Sequence, residues 1–221
     1  MGTLALDQFS ARYVMGRNFI GPEEVARFLG LSQFDERLKG LERIPYEEEV
    51  LRMCRETHIL VAGFPLTILD ICKFFPRCVI LPSPEKRIGH WSNDRFARKD
   101  KLARRWYLMR KEVFNGSLGG SLRAALEASQ NEGEELPRPG EFIYAVVLYY
   151  ALTGERLFEN VYAFCQDPAN NGLHVRIGMF GSGGLCLDQF YYYRDGLFQD
   201  TGIASSRKLP GKGDVWPGSA P

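Results

Sequence analysis

Residues 154–208 read GERLFENVYAFCQDPANNGLHVRIGMFGSGGLCLDQFYYYRDGLFQDTGIASSRK, and the choice of fold turns on this stretch. Four segments in it, 161–165, 174–180, 185–190 and 203–208, are short, β-rich and separated by turn residues. Val175, Ile177, Phe180, Leu185 and Leu187 are placed to face a core. The glycine-rich peptide 178–184 leads into Leu185-Cys186-Leu187, which is strand-like. A phosphate cradle needs a helix N-terminus behind such a loop, so a turn between two strands is the better reading. Tyr191, Tyr192 and Tyr193 are consecutive and cannot all face one side of a strand. As an exposed loop, 191–200 makes chemical sense: tyrosine offers large contact area at low entropy cost, and Gly and Asp supply adaptable turns.

Immediately upstream, residues 141–152 (EFIYAVVLYYAL) follow two prolines and end at Gly154. Their apolar positions run round nearly the whole circumference, which predicts a central, buried helix. Further out, helices are expected over 23–29, opened by Pro22, and over 45–54, with Glu47, Glu48 and Glu49 near the positive end. Others are expected over 66–74 and 122–129. Strands are expected at 58–63 and 78–81, and a half-exposed strand over 104–113. The expected class is α+β: a small helical N-terminal portion (1–55), a main domain (56–208) and a tail (209–221).

Composition agrees with a folded globular chain: 221 residues, 45% hydrophobic, 25% charged, formal net charge +1. No signal peptide or apolar run of membrane-spanning length is visible, so a cytoplasmic location is expected. Five cysteines at irregular spacing, with no CxxC, predict reduced thiols rather than a zinc site or disulfide framework. Cys54 and His58, four apart, are the nearest approach to a nucleophile and base, but no acid is placed to orient the histidine. The carboxylates form no evident pair. No catalysis, metal or cofactor is expected. Residues 86–111 hold ten Lys/Arg against Asp94 and Asp100, interleaved with aromatics. Such a run suits either a nucleic-acid contact or a solvated face paired with acidic segments elsewhere.

Four motifs occur in a fixed order: THILVAGFPLTILDI (57–71), RWYLMRK (105–111), GERLFENVY (154–162) and GIASSRK (202–208). In them the chain resembles proteins abundant in candidate-phyla (Parcubacteria-like) genomes, which look like the variable target proteins of diversity-generating retroelements. The resemblance covers about residues 20–208. It implies a C-type lectin-like fold, with two helices (122–129 and 141–152) against short antiparallel strands. It also implies a variable region over about 174–208, whose surface residues bind a macromolecular ligand, chiefly protein, without catalysis. In that family, adenine-directed errors diversify Asn codons. Tyr, Asp, Gly, Cys, Phe, Arg, Leu and His are reachable in this way. Gln189 and Gln199 are not, which leaves them either template-encoded or outside the diversified set. The expected binding face is His174, Arg176, Met179, Ser182, Cys186, Asp188, Phe190, Tyr191, Tyr192, Tyr193, Arg194, Leu197, Phe198 and Asp200. Val175, Ile177, Leu185, Leu187, Ile203 and Arg207 are expected to be scaffold. The alternative function is nucleic-acid binding through 86–111.

Overall fold

A computed structural model describes residues 6–32, 35–80, 91–168, 174–190 and 197–209. Its axis is one helix, Pro139–Thr153, which buries almost every residue from Pro139 to Tyr149. Pro139 sits at the first turn, where a missing N–H costs nothing. The Glu141 carboxylate accepts the Arg138 N–H at 3.0 Å. Gly154 closes the helix at φ 74°, a left-handed conformation that glycine adopts without strain, and donates to the Tyr150 carbonyl. In chain order the seven helices among the described residues are α1 Gln8–Met15, α2 Pro22–Phe28, α3 Glu48–Cys54, α4 Ile68–Phe74, α5 Arg95–Arg98, α6 Leu122–Asn131 and this axial α7.

Helix α7 lies between two sheets and packs on both. The first has five strands: β2 Phe19–Ile20, β4 His58–Ala62, β5 Trp106–Arg110, β11 Ser206–Arg207 and β6 Glu134–Glu135, in that spatial order. Only the β2–β4 pair is parallel. The second sheet runs β10 Thr201–Ile203, β7 Tyr162–Pro168, β8 His174–Gly181 and β9 Gly184–Phe190, with β10 parallel to β7 and the rest antiparallel. A ribbon of β1 Leu6–Asp7 and β3 Arg43–Ile44 completes the described strands. The molecule is therefore mixed α+β. One apolar core runs from Ala11 to Ala204, so residues on both sides of position 55 contribute to it. No helix is long and apolar enough to cross a membrane among the described residues.

Several expectations need correction. The 104–113 segment is not half-exposed, because all five residues of β5 are buried. One of its faces meets α7, and the other is covered by the N-terminal portion, where Trp106 stacks on Phe19 and donates to the Leu41 carbonyl at 3.2 Å. Instead of a strand at 78–81, Val79 makes one parallel bridge to Leu185, and Leu81 lies outside the described residues. The 203–208 strand is two strands in different sheets, with Ala204 and Ser205 between them. Helix α1 was not foreseen; its start is fixed by the Asp7 carboxylate, which accepts the Ser10 N–H at 2.8 Å.

Candidate ligand-binding face

Strand alternation sorts the second sheet into two surfaces. Ala163, Cys165, Val175, Ile177, Leu185 and Leu187 are buried in the main core, on the side of α7. Tyr162, Phe164, His174, Arg176, Cys186 and Asp188 point the other way, since Arg176 pairs in register with Phe164 and Asp188, and Gly178 with Tyr162 and Cys186. Half of this outer surface is itself covered. Phe164 and Ile203 form a second apolar cluster with Phe114, Leu122, Ala125 and Leu197, where α6 packs across β10. The residues of the remaining half are partly exposed.

At the centre of the open half, the Arg176 guanidinium lies 4.1 Å from the ring centroid of Tyr162 and 4.9 Å from that of Phe198. It donates to Asp188 Oδ2 at 2.9 and 3.2 Å, to Asp200 Oδ1 at 3.2 Å and to Thr201 Oγ1 at 3.0 Å. Only 15% of its side chain is exposed. Arg176 thus ties this face together, with the two aspartates and Phe198 (50% exposed) at its surface. The Tyr162 hydroxyl donates to Cys186 Sγ at 3.4 Å, and burial together with that contact pushes its pKa up.

The other expected face residues scatter round this centre. His174 stacks on Phe164 at 5.4 Å. Met179 is exposed and holds φ at 47°, and Ser182 is exposed at the tip of the β8–β9 hairpin. Phe190 ends β9 opposite His174. Tyr191, Tyr192, Tyr193 and Arg194 lie outside the described residues. Leu197 is a correction: it is 6% exposed and belongs to the second apolar cluster, and its backbone N–H donates to the Gly120 carbonyl at 2.8 Å. Tyr162 was missed. It lies in the GERLFENVY motif, and only its alternation with the core residue Ala163 could have put it on the outer surface.

No family model, curated protein or solved structure matches this chain.

Elsewhere the chemistry is closed in on itself. Glu134, fully buried, holds Arg110 at 2.6 and 3.2 Å and faces His58 Nε2 at 3.4 Å and Arg207 Nε at 3.9 Å. Burial works against its charge, yet His58 and Arg110 hold its carboxyl at about 2. Burial depresses the His58 pKa, Glu134 opposing it in part. A neutral imidazole protonated at Nε2 leaves Nδ1 free to accept the Thr57 hydroxyl at 2.8 Å, while Nε2 itself has no hydrogen-bond partner among the described residues. These groups come from β4, β5, β6 and β11. Cys54 ends α3 while His58 begins β4, so the two share no helical face.

In the basic run, eight of the ten cations lie in described residues, and five of those are hydrogen-bonded within the chain. Arg95 meets Asp100, Arg98 meets Asn93, Arg104 meets the Glu36 carbonyl, Arg105 meets Glu141 and Arg110 meets Glu134. A cavity of about 210 Å³ between Leu102 and the start of α7 is bordered by the Arg105–Glu141 pair. Among the described residues, no three His, Cys, Asp or Glu side chains are grouped as metal ligands.

Proposed function

We propose that this chain is a non-enzymatic ligand-binding protein of C-type lectin-like fold, akin to retroelement-diversified variable proteins, that grips a protein ligand with the open half of its second sheet. What carries the reading is the division along β8 and β9. His174, Arg176, Cys186 and Asp188 point outward, and Val175, Ile177, Leu185 and Leu187 pack inward. Outward positions on a scaffold of this kind accept substitution without loss of the core, which is what repeated diversification demands. The stretch 191–200 joins β9 to β10 in the sequence and carries the tyrosines, and of its described residues Phe198 lies against Arg176. Nucleic-acid binding through 86–111 is the weaker reading, because its arginines are largely committed to partners within the chain.

The test selects peptides of about twelve residues from a displayed random library on the full chain, aromatic anchors being the expected hot spots. Enriched peptides are expected to lose at least about tenfold in affinity for Phe198→Ala, Tyr191→Ala or Tyr193→Ala, with Tm moving by no more than about 2 °C. Peptides indifferent to all three substitutions would exclude this face, and a large fall in Tm would put the altered side chain in the core. Diversification is tested separately: the source genome is expected to hold a repeat matching the codons of residues 174–208 except at adenines.

A further inference from the structure

Strand β11 is two residues long, yet it lies between β5 and β6 in the first sheet. Beyond its own ladder, the Ser205 carbonyl accepts the Arg110 N–H at 3.0 Å and the Lys208 N–H donates to the Gly133 carbonyl at 3.1 Å. The Tyr46 hydroxyl donates to the Arg207 carbonyl at 3.2 Å. The polar atoms of this junction are under-satisfied. Ser205 Oγ, Arg207 Nε and His58 Nε2 are all buried with no hydrogen-bond partner among the described residues. Such atoms lower local stability, because their hydration is lost without replacement. Of the two guanidiniums that face Glu134, Arg207 is the more weakly held, at 3.9 Å against 2.6 Å for Arg110. Its firmer contact, to the Glu132 carbonyl, is made to an exposed residue.

We propose that β11 is an acid-sensitive latch: when His58 takes up a proton, Arg207 and its strand leave the first sheet while the rest of the fold stays closed. The groups facing His58 set the direction. Glu134 from β6 lies 3.4 Å from Nε2, while Arg110 from β5 and Arg207 from β11 bring two positive charges. The Thr57 hydroxyl meets Nδ1, and the buried Cys54 thiol of α3 adjoins Arg207, its pKa raised by burial. Glu132, 3.7 Å from Arg110, is 55% exposed and screened by water. With a neutral imidazole, one buried carboxylate faces two guanidiniums; with an imidazolium it faces three cations. Unbalanced charge out of water is unfavourable, and moving one cation into solvent relieves it. Arg207 is the cation to move, being the most exposed of the three and the farthest from Glu134. The closed form holds the His58 proton less readily than the open one, so a falling pH favours opening below 6.5. None of these residues lies on the outer surface of the second sheet, so the inference stands apart from the ligand-binding reading.

Amide hydrogen exchange on the full chain between about pH 7.5 and 5, corrected for intrinsic rates, tests it. The Arg110 and Lys208 amides report on the latch, and the Val147 and Leu148 amides of α7 on the whole fold. At about pH 5.5 the latch amides are expected to open at least about 100-fold more often than those of α7. Their opening constant is expected to rise by up to about tenfold per pH unit below 6.5, as one linked proton requires. Equal opening at the latch and at α7 means that β11 leaves only with the whole fold, which overturns the proposal. Latch opening that ignores pH overturns it as well. In His58→Gln, which cannot take up this proton, the pH dependence of the latch amides is expected to vanish, and its survival there counts against the proposal in the same way. The unaltered protein supplies a check that needs no variant: a His58 ring signal that titrates in NMR with no change at the latch amides also overturns it.

Discussion

Arg176 lies against two rings and is bonded to two carboxylates; at the half-exposed Phe198 such a cation–π contact contributes only about 0.5–1 kcal/mol. Its residue type is readable in the sequence, but its partners are not, since Tyr162, Asp188 and Asp200 come from three separate segments. The same holds for His58, whose acid partner Glu134 emerges only when β4 and β6 join one sheet. Glu134→Gln would leave Arg110 buried without its counter-charge, and a loss of about 3–5 kcal/mol is expected in urea unfolding. Both pKa values are depressed on folding, so the native state binds fewer protons than the unfolded chain. The stability this confers is whole above pH 6.5. It falls first as His58 must charge below that value, then further from about 4.5 toward 2 as Glu134 protonates. Tm against pH is expected to decline in those two windows, with the lower one shallower in Glu134→Gln. Leu197→Ala is expected to cost about 2–5 kcal/mol, as a core deletion does, whereas Phe198→Ala next to it is expected to cost less than about 1 kcal/mol. Thermal unfolding of the two variants checks which neighbour is core.

Helices were legible where the sequence punctuates them. Pro22 opens α2, Ser121 caps α6 through the Ala124 N–H, and Pro139 and Gly154 bracket α7. Strand segments were legible from alternation, but which strands pair was not. Residues 203–208 read as one extended piece, yet β10 pairs with β7 while β11 enters the other sheet, with Ala204 and Ser205 between them. Gly178 records a pairing constraint with no visible signature. A Cβ there would come within 2.0 Å of the Val161 carbonyl oxygen and 2.8 Å of Tyr162 Cα, where β7 presses on β8. Gly178→Ala is therefore expected to pry these strands apart at a cost of about 3 kcal/mol or more, read as a lowered Tm and faster exchange of β7 amides. By contrast, Gly154 meets nothing within 4 Å and is required only for its φ of 74°. Gly154→Ala is expected to cost about 1 kcal/mol.

Across the whole molecule, the N-terminal portion, first sheet, α7 and second sheet form successive layers, with α6 over part of the last. The main chemical consequence lies in the second sheet, where one half of the outer surface is sealed by α6 and the other left open around Arg176. The sequence by itself determined the mixed α+β class, the buried axial helix and the alternation that sends 175, 177, 185 and 187 inward, because these follow from periodicity and from local capping. It did not determine the burial of β5, the inward turn of Leu197 or the closed cluster round Glu134. Those depend on which surfaces come to lie against one another, and burial at such positions is set by neighbours distant in the chain.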